Sequence, residues 1–178
     1  MRFTMKKRIY TGNKDGAAKG LRPGMKVFID ETIKLSNGAL WNNGDFGVRP
    51  MRGKESMSVH GTGRAVDLSF RHMPPKKGVK NGRLEALRVL KIIVANADAL
   101  GVEAIFDYIV KPHGRAWMCD RNAWLNYKKE TIHGGGSGDW LHFEVSPEMA
   151  DSAEKMRQAF AQLVIPSPDS QEETPKPA

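Results

Sequence analysis

Two histidines and two aspartates carry the chemistry that this chain most plainly suggests. The first pair lies in Ser58-Val59-His60-Gly61-Thr62-Gly63-Arg64-Ala65-Val66-Asp67, the second in Asp139-Trp140-Leu141-His142-Phe143-Glu144. A zinc ion poised for chemistry takes three protein ligands from imidazole, thiolate or carboxylate and keeps an open position for water. His60, Asp67 and His142 supply two nitrogens and one oxygen, and they form the candidate ligand set. A water held by a metal also needs a base beside it. Asp139, three residues before His142 and next to a glycine-rich loop, is placed to touch water and substrate.

These side chains need elements that point them together. Residues 64–70 alternate, with Val66, Leu68 and Phe70 on one side of a strand and Ala65, Asp67 and Ser69 on the other. In the strand 140–145, His142 and Glu144 share a face opposite Phe143 and Val145. If the two strands are neighbours, Asp67 and His142 meet on one polar face. Gly61 and Gly63 let the chain turn so that His60 swings back towards Asp67. Glu144 is placed either to orient a ligand imidazole or to stand as a solvated strand glutamate. His133, in the glycine loop, is a loop histidine or a substrate contact. Trp140 reads as core or cleft wall.

The remaining elements follow from periodicity. Leu84, Leu87, Leu90, Val94 and Ala97 recur at helical spacing between Asn81, a candidate N-cap, and Gly101, a candidate stop. Residues 102–110 predict a strand, and 116–127 a second strand or a short helix. Pro147 opens a helix running to about Val164. Residues 1–44 predict an irregular segment packed on the domain, with a short strand at Val27-Phe28-Ile29 and with Trp41 and Phe46 turned inward. Residues 45–164 form the expected domain. Residues 165–178, rich in Pro, Ser and Glu, predict a disordered tail or linker. The order of strands and helices predicts an α+β fold, a single domain with an antiparallel sheet and flanking helices.

Composition bounds the function without choosing it. The chain has 178 residues, enough for one domain with a core, and a formal net charge of +8. The last fourteen residues hold three acids and one lysine, which leaves the body 27 basic and 17 acidic residues, or +10. Such a body favours polyanions: nucleic acid, acidic wall polymers or carboxylate-rich wall peptides. Its few aromatics do not interleave with basic residues, which argues against nucleic acid. No apolar run is long enough to span a bilayer. The basic stretch Met1–Arg8 precedes no apolar segment, so it does not read as a secretory signal. Cys119 is the only cysteine, so no internal disulfide forms, and it reads as a small buried apolar residue.

The two histidine motifs resemble the signature of the zinc D-alanyl-D-alanine carboxypeptidases, dipeptidases and phage L-alanyl-D-glutamate endopeptidases. That superfamily shares its fold with the hedgehog signalling domain. Ser58-x-His60-x-x-Gly63-x-Ala65-x-Asp67 keeps every fixed position of the first motif, and Asp139-x-x-His142 keeps the second. The resemblance spans about residues 45–147. It implies a hedgehog/DD-peptidase-like domain, Zn²⁺ on His60, Asp67 and His142, and Asp139 as the catalytic carboxylate. Members also carry a substrate-binding arginine in a Gly-Tyr-Arg-Ser-like context. Gly47-Val-Arg49-Pro takes that place here without the Tyr or the Ser, and Arg52 competes for the role. Ser58 is expected near the metal's ligands and not as a nucleophile.

Peptidoglycan stem peptides are the substrate that the resemblance implies, cut at L-Ala–D-Glu or at a terminal D-Ala. With no signal recognised and a small basic body, the reading is a monomeric phage lysin. It would be made in the host cytoplasm and act on the wall after release or as part of a virion, without a membrane partner. The alternative is a non-catalytic structural or wall-binding module of a phage particle with the same fold.

Overall fold

Apolar residues at every second position sort each strand into a core face and an outer face, and this sorting organises the sheet. The structure is a computed structural model, and it describes residues 6–51, 54–70, 82–129 and 138–166. Its elements run α1 (Pro23–Leu35), β1 (Trp41–Gly44), a 3-10 turn (Val59–Thr62), β2 (Ala65–Ser69), α2 (Gly82–Ala95), β3 (Val102–Asp107), β4 (Arg115–Met118), β5 (Ala123–Asn126), β6 (Trp140–Val145), α3 (Pro147–Asp151) and α4 (Ala153–Ala161). Six strands form one antiparallel sheet in the order β1-β2-β6-β3-β4-β5. The fold is α+β, as expected.

Val66 and Leu68 of β2, Ile105 of β3, and Leu141, Phe143 and Val145 of β6 share one fully buried core with the helices. Met25 and Phe28 of α1, and Val89, Leu90 and Ile93 of α2, fill it from the other side. The Phe28 and Phe143 rings meet edge to face at 5.6 Å. Each such side chain contributes roughly 1.5–3 kcal/mol by leaving water. The helices therefore cover one face of the sheet and leave the face of Asp67 and His142 for other use.

Several expected elements differ. Residues 1–44 are not irregular throughout, and Val27-Phe28-Ile29 lies inside α1 and forms no strand. Pro23 starts the helix, and Met25, Phe28, Ile29 and Thr32 bury at spacings of three and four, a period that three β-prone residues concealed. Gly24 lets α1 approach α3, since a Cβ there would lie 2.0 Å from the Met149 carbonyl oxygen. The domain also begins before residue 45, because β1 pairs with β2. Trp41 and Phe46 are only half-buried.

The 116–127 segment is a hairpin of two strands, with Trp117 opposite Trp124 and Asn122 at φ 51 in the turn. The last helix is broken at Ser152, whose extended backbone and side-chain bond to the Lys155 N–H cap α4. Helix α2 ends at Ala95, and turns carry the chain to Gly101. Its expected cap, Asn81, lies outside the described residues. Cys119 is buried, as a small apolar residue would be.

Candidate metal centre

Antiparallel pairing of β2 with β6 sets the centre. Its register puts Asp67 directly opposite His142, with Val66 opposite Phe143 and Leu68 opposite Leu141. Because the apolar pairs enter the core, the Asp67–His142 pair is forced onto the other face. Asp67 Oδ1 lies 2.9 Å from His142 Nδ1.

His60 reaches the pair from the 3-10 turn. Ser58 caps that turn, its hydroxyl accepting from the His60 N–H at 3.4 Å. Gly63, at φ +71, closes it and sends the chain into β2. His60 Nε2 then sits 3.4 Å from Asp67 Oδ2. One ligand atom from each of His60, Asp67 and His142 lies within 4.8 Å of the others, the one such group among the described residues. The two imidazole rings meet edge to face at 4.9 Å.

Hydrogen bonds at the far side of each ring select which nitrogen faces inward. His60 Nδ1–H donates to the Asp45 carbonyl, which leaves Nε2 towards Asp67. His142 Nε2–H donates to Glu144 Oε1 at 3.0 Å, which leaves Nδ1 towards Asp67. Glu144 is thus no solvated strand residue: it is buried, and it accepts a second bond from the Tyr10 hydroxyl at 2.7 Å. Two imidazole nitrogens and a carboxylate oxygen, each imidazole anchored behind, make a donor set suited to zinc. Asp67 is the open side, with 20% of its side chain exposed against 5% for His60 and 10% for His142.

The charges in this cluster are tightly linked. Burial works against charge on His142, but the carboxylates of Asp67 and Glu144 overcome it and push its pKa up to about 10. Burial likewise raises Asp67, and the hydrogen bonds of the two histidines outweigh that, holding its carboxyl far below the usual range. Glu144 is held low in the same way by His142 and Tyr10 against its own burial. The two carboxylates on either side of His142 therefore favour its protonated form.

The other expected residues fall around this core. Asp139 immediately precedes β6, and its carbonyl accepts from the Phe70 N–H at 2.9 Å and the Ser69 hydroxyl at 3.1 Å. Its carboxylate does not belong to the three-residue group. Arg49 is exposed on the segment before the 3-10 turn, where its carbonyl accepts from the Ser58 N–H at 2.9 Å. His133 and Arg52 lie outside the described residues.

Phe106, Tyr108, Asp45 and Tyr10 also stand around the cluster, and none of them had been expected there. Phe106 packs edge-on to His142 at 5.3 Å and stacks with Tyr108, which in turn meets Trp140 at 5.2 Å, so an aromatic wall flanks the cluster. Asp45 contributes only its carbonyl, which no residue type could signal. Tyr10, far away in sequence, carries no motif at all.

No protein-family model matches this chain, and no curated protein and no solved structure matches it either.

Proposed function

We propose that this chain is a zinc-dependent peptidase that hydrolyses stem peptides of bacterial peptidoglycan. The observation that carries the reading is the convergence of His60 Nε2, Asp67 and His142 Nδ1, each histidine anchored behind by its second nitrogen. The motif resemblance of 58–67 and 139–142 supplies the substrate class. Zinc bound there would polarise the scissile carbonyl and lower the pKa of a water to about 7.

The chain's own groups supply the rest of an amide hydrolysis. Asp139 takes the proton from the attacking water and returns it to the leaving amine. Arg49 offers its guanidinium to the developing oxyanion or a substrate carboxylate. The wall of Phe106, Tyr108 and Trp140 limits how a peptide can lie beside the cluster.

The test is metal analysis combined with digestion of purified peptidoglycan, its fragments read by mass spectrometry. About one zinc per chain is expected, with cleavage at L-Ala–D-Glu or release of D-Ala, lost on chelation and restored by zinc. Undiminished cleavage by verified metal-free protein would overturn the mechanism. Zinc and wall binding without cleavage would favour a non-catalytic wall-binding module.

A further inference from the structure

The motif resemblance begins at about residue 45, yet residues 10–22 wrap the segment that bears the ligands. The Asn13 side chain donates to the Met57 carbonyl at 2.5 Å, and the Ala18 N–H donates to the Gly61 carbonyl at 2.9 Å. Arg22 donates to the carbonyls of Gly63 at 3.2 Å and of Thr62 at 2.8 Å. Arg64, fully buried between the two motif ligands of the first stretch, donates back to the Gly12 carbonyl and to Asp15. Thr11 binds Glu103, a buried carboxylate at the irregularity between β3 and β6, through its N–H at 3.2 Å and its hydroxyl at 2.6 Å.

One member of this arm touches the metal centre's own supports. The Tyr10 hydroxyl donates to Glu144 Oε2 at 2.7 Å, while Glu144 Oε1 accepts from His142 Nε2–H at 3.0 Å. Building on the zinc reading, we propose that Tyr10, alone of this arm, belongs to the metal centre, as a positioning residue that fixes His142 through Glu144. A carboxylate tied at both oxygens cannot rotate. Its fixed orientation holds the imidazole in the one setting that presents Nδ1 to the metal. Partners that orient a ligand from behind typically contribute 10–100-fold to metal affinity.

The test uses the full chain and reads metal affinity instead of hydrolysis. Zinc is titrated against a chromophoric chelator for the unaltered chain, Tyr10→Phe and Thr11→Val, and the visible absorption of the Co²⁺-loaded forms is recorded. Metal-free melting is measured on the same samples. Tyr10→Phe deletes only the hydroxyl, and its zinc affinity should fall, by less than the about 10–100-fold expected for loss of Glu144 itself, with a changed Co²⁺ band. Thr11→Val loosens the same arm at Glu103, so it should lower the melting temperature and leave zinc affinity and the Co²⁺ band unchanged.

Unaltered zinc affinity in Tyr10→Phe would overturn the inference. So would an equal loss in Thr11→Val, or a Tyr10→Phe chain that does not fold, since either makes the arm's role one of stability alone. Failure of the unaltered chain to bind zinc would instead remove the metal centre itself, and the inference with it.

Discussion

Asp67 and His142 are direct cross-strand partners, and Asp67 Oδ1 stands 2.9 Å from His142 Nδ1. Each residue is joined to a further partner, Asp67 to His60 and His142 to Glu144. The four side chains thus form a chain of alternating carboxylates and imidazoles, and its behaviour can be tested link by link.

Ligands and base should separate in a mutational series. His60→Ala, Asp67→Ala and His142→Ala each remove one candidate ligand, and each should lose zinc and stem-peptide cleavage together. Asp139→Asn keeps shape and hydrogen bonding but cannot accept a proton. It should retain zinc while turnover falls by about 10²–10⁴. Loss of zinc in Asp139→Asn would make Asp139 a ligand, and near-normal turnover would move the base elsewhere.

The metal-free protein should lose stability in alkaline solution. The folded pKa of His142 lies above its unfolded value of about 6.5. Its contribution is therefore fully present below about pH 6.5 and disappears as pH rises through the folded value near 10. Zinc needs Nδ1 without its proton, so zinc binding should release a proton and tighten as pH rises. Thermal melts in chelator across this range, with a pH-indicator assay of zinc addition, measure both effects. A flat melting profile together with no proton release would show that His142 is neutral in the metal-free chain.

Arg64 should be among the most sensitive positions outside the His60, Asp67 and His142 cluster. It is fully buried and donates to Asp15 at 2.9 Å, to Glu103 at 3.5 Å, and to the Val145 and Gly12 carbonyls. Arg64→Ala leaves the buried Glu103 without its cation and should cost about 3–5 kcal/mol in denaturant unfolding. Arg64→Lys keeps the charge without the planar fork and should recover only part of that loss. A cost below about 1 kcal/mol for Arg64→Ala would mean that this network does not hold the fold.

The end of the folded body should lie at Val164. The Asn96 side chain accepts from the Val164 N–H at 2.9 Å and donates to its carbonyl at 2.8 Å. Removing residues 167–178 should leave the melting temperature nearly unchanged, because that stretch has no apolar material to bury. Asn96→Ala loses both bonds and should cost about 1–3 kcal/mol. A large drop in melting temperature on truncation would show that the last twelve residues dock on the domain.

The α+β class, the two strands that bear Asp67 and His142 and the faces of their side chains were legible from the sequence, because alternation is a local property of the backbone. Asp67 must point away from Val66 and Leu68 wherever that strand lies, and His142 away from Leu141 and Phe143. Glycines at 61 and 63 likewise announced the turn that carries His60. The sequence could not decide which strands are neighbours or in what register. Only the β2–β6 pairing places Asp67 opposite His142. Nor could it show that α1 hides within a segment that reads as irregular, because β-prone Val27, Phe28 and Ile29 mask a helical burial pattern. The hydrogen bonds behind His60 and His142 belong to tertiary structure altogether. The Asp45 carbonyl is common to every residue type, and Tyr10 meets Glu144 across 134 positions of chain. Such contacts follow no local period, since folding alone brings distant segments into hydrogen-bonding distance.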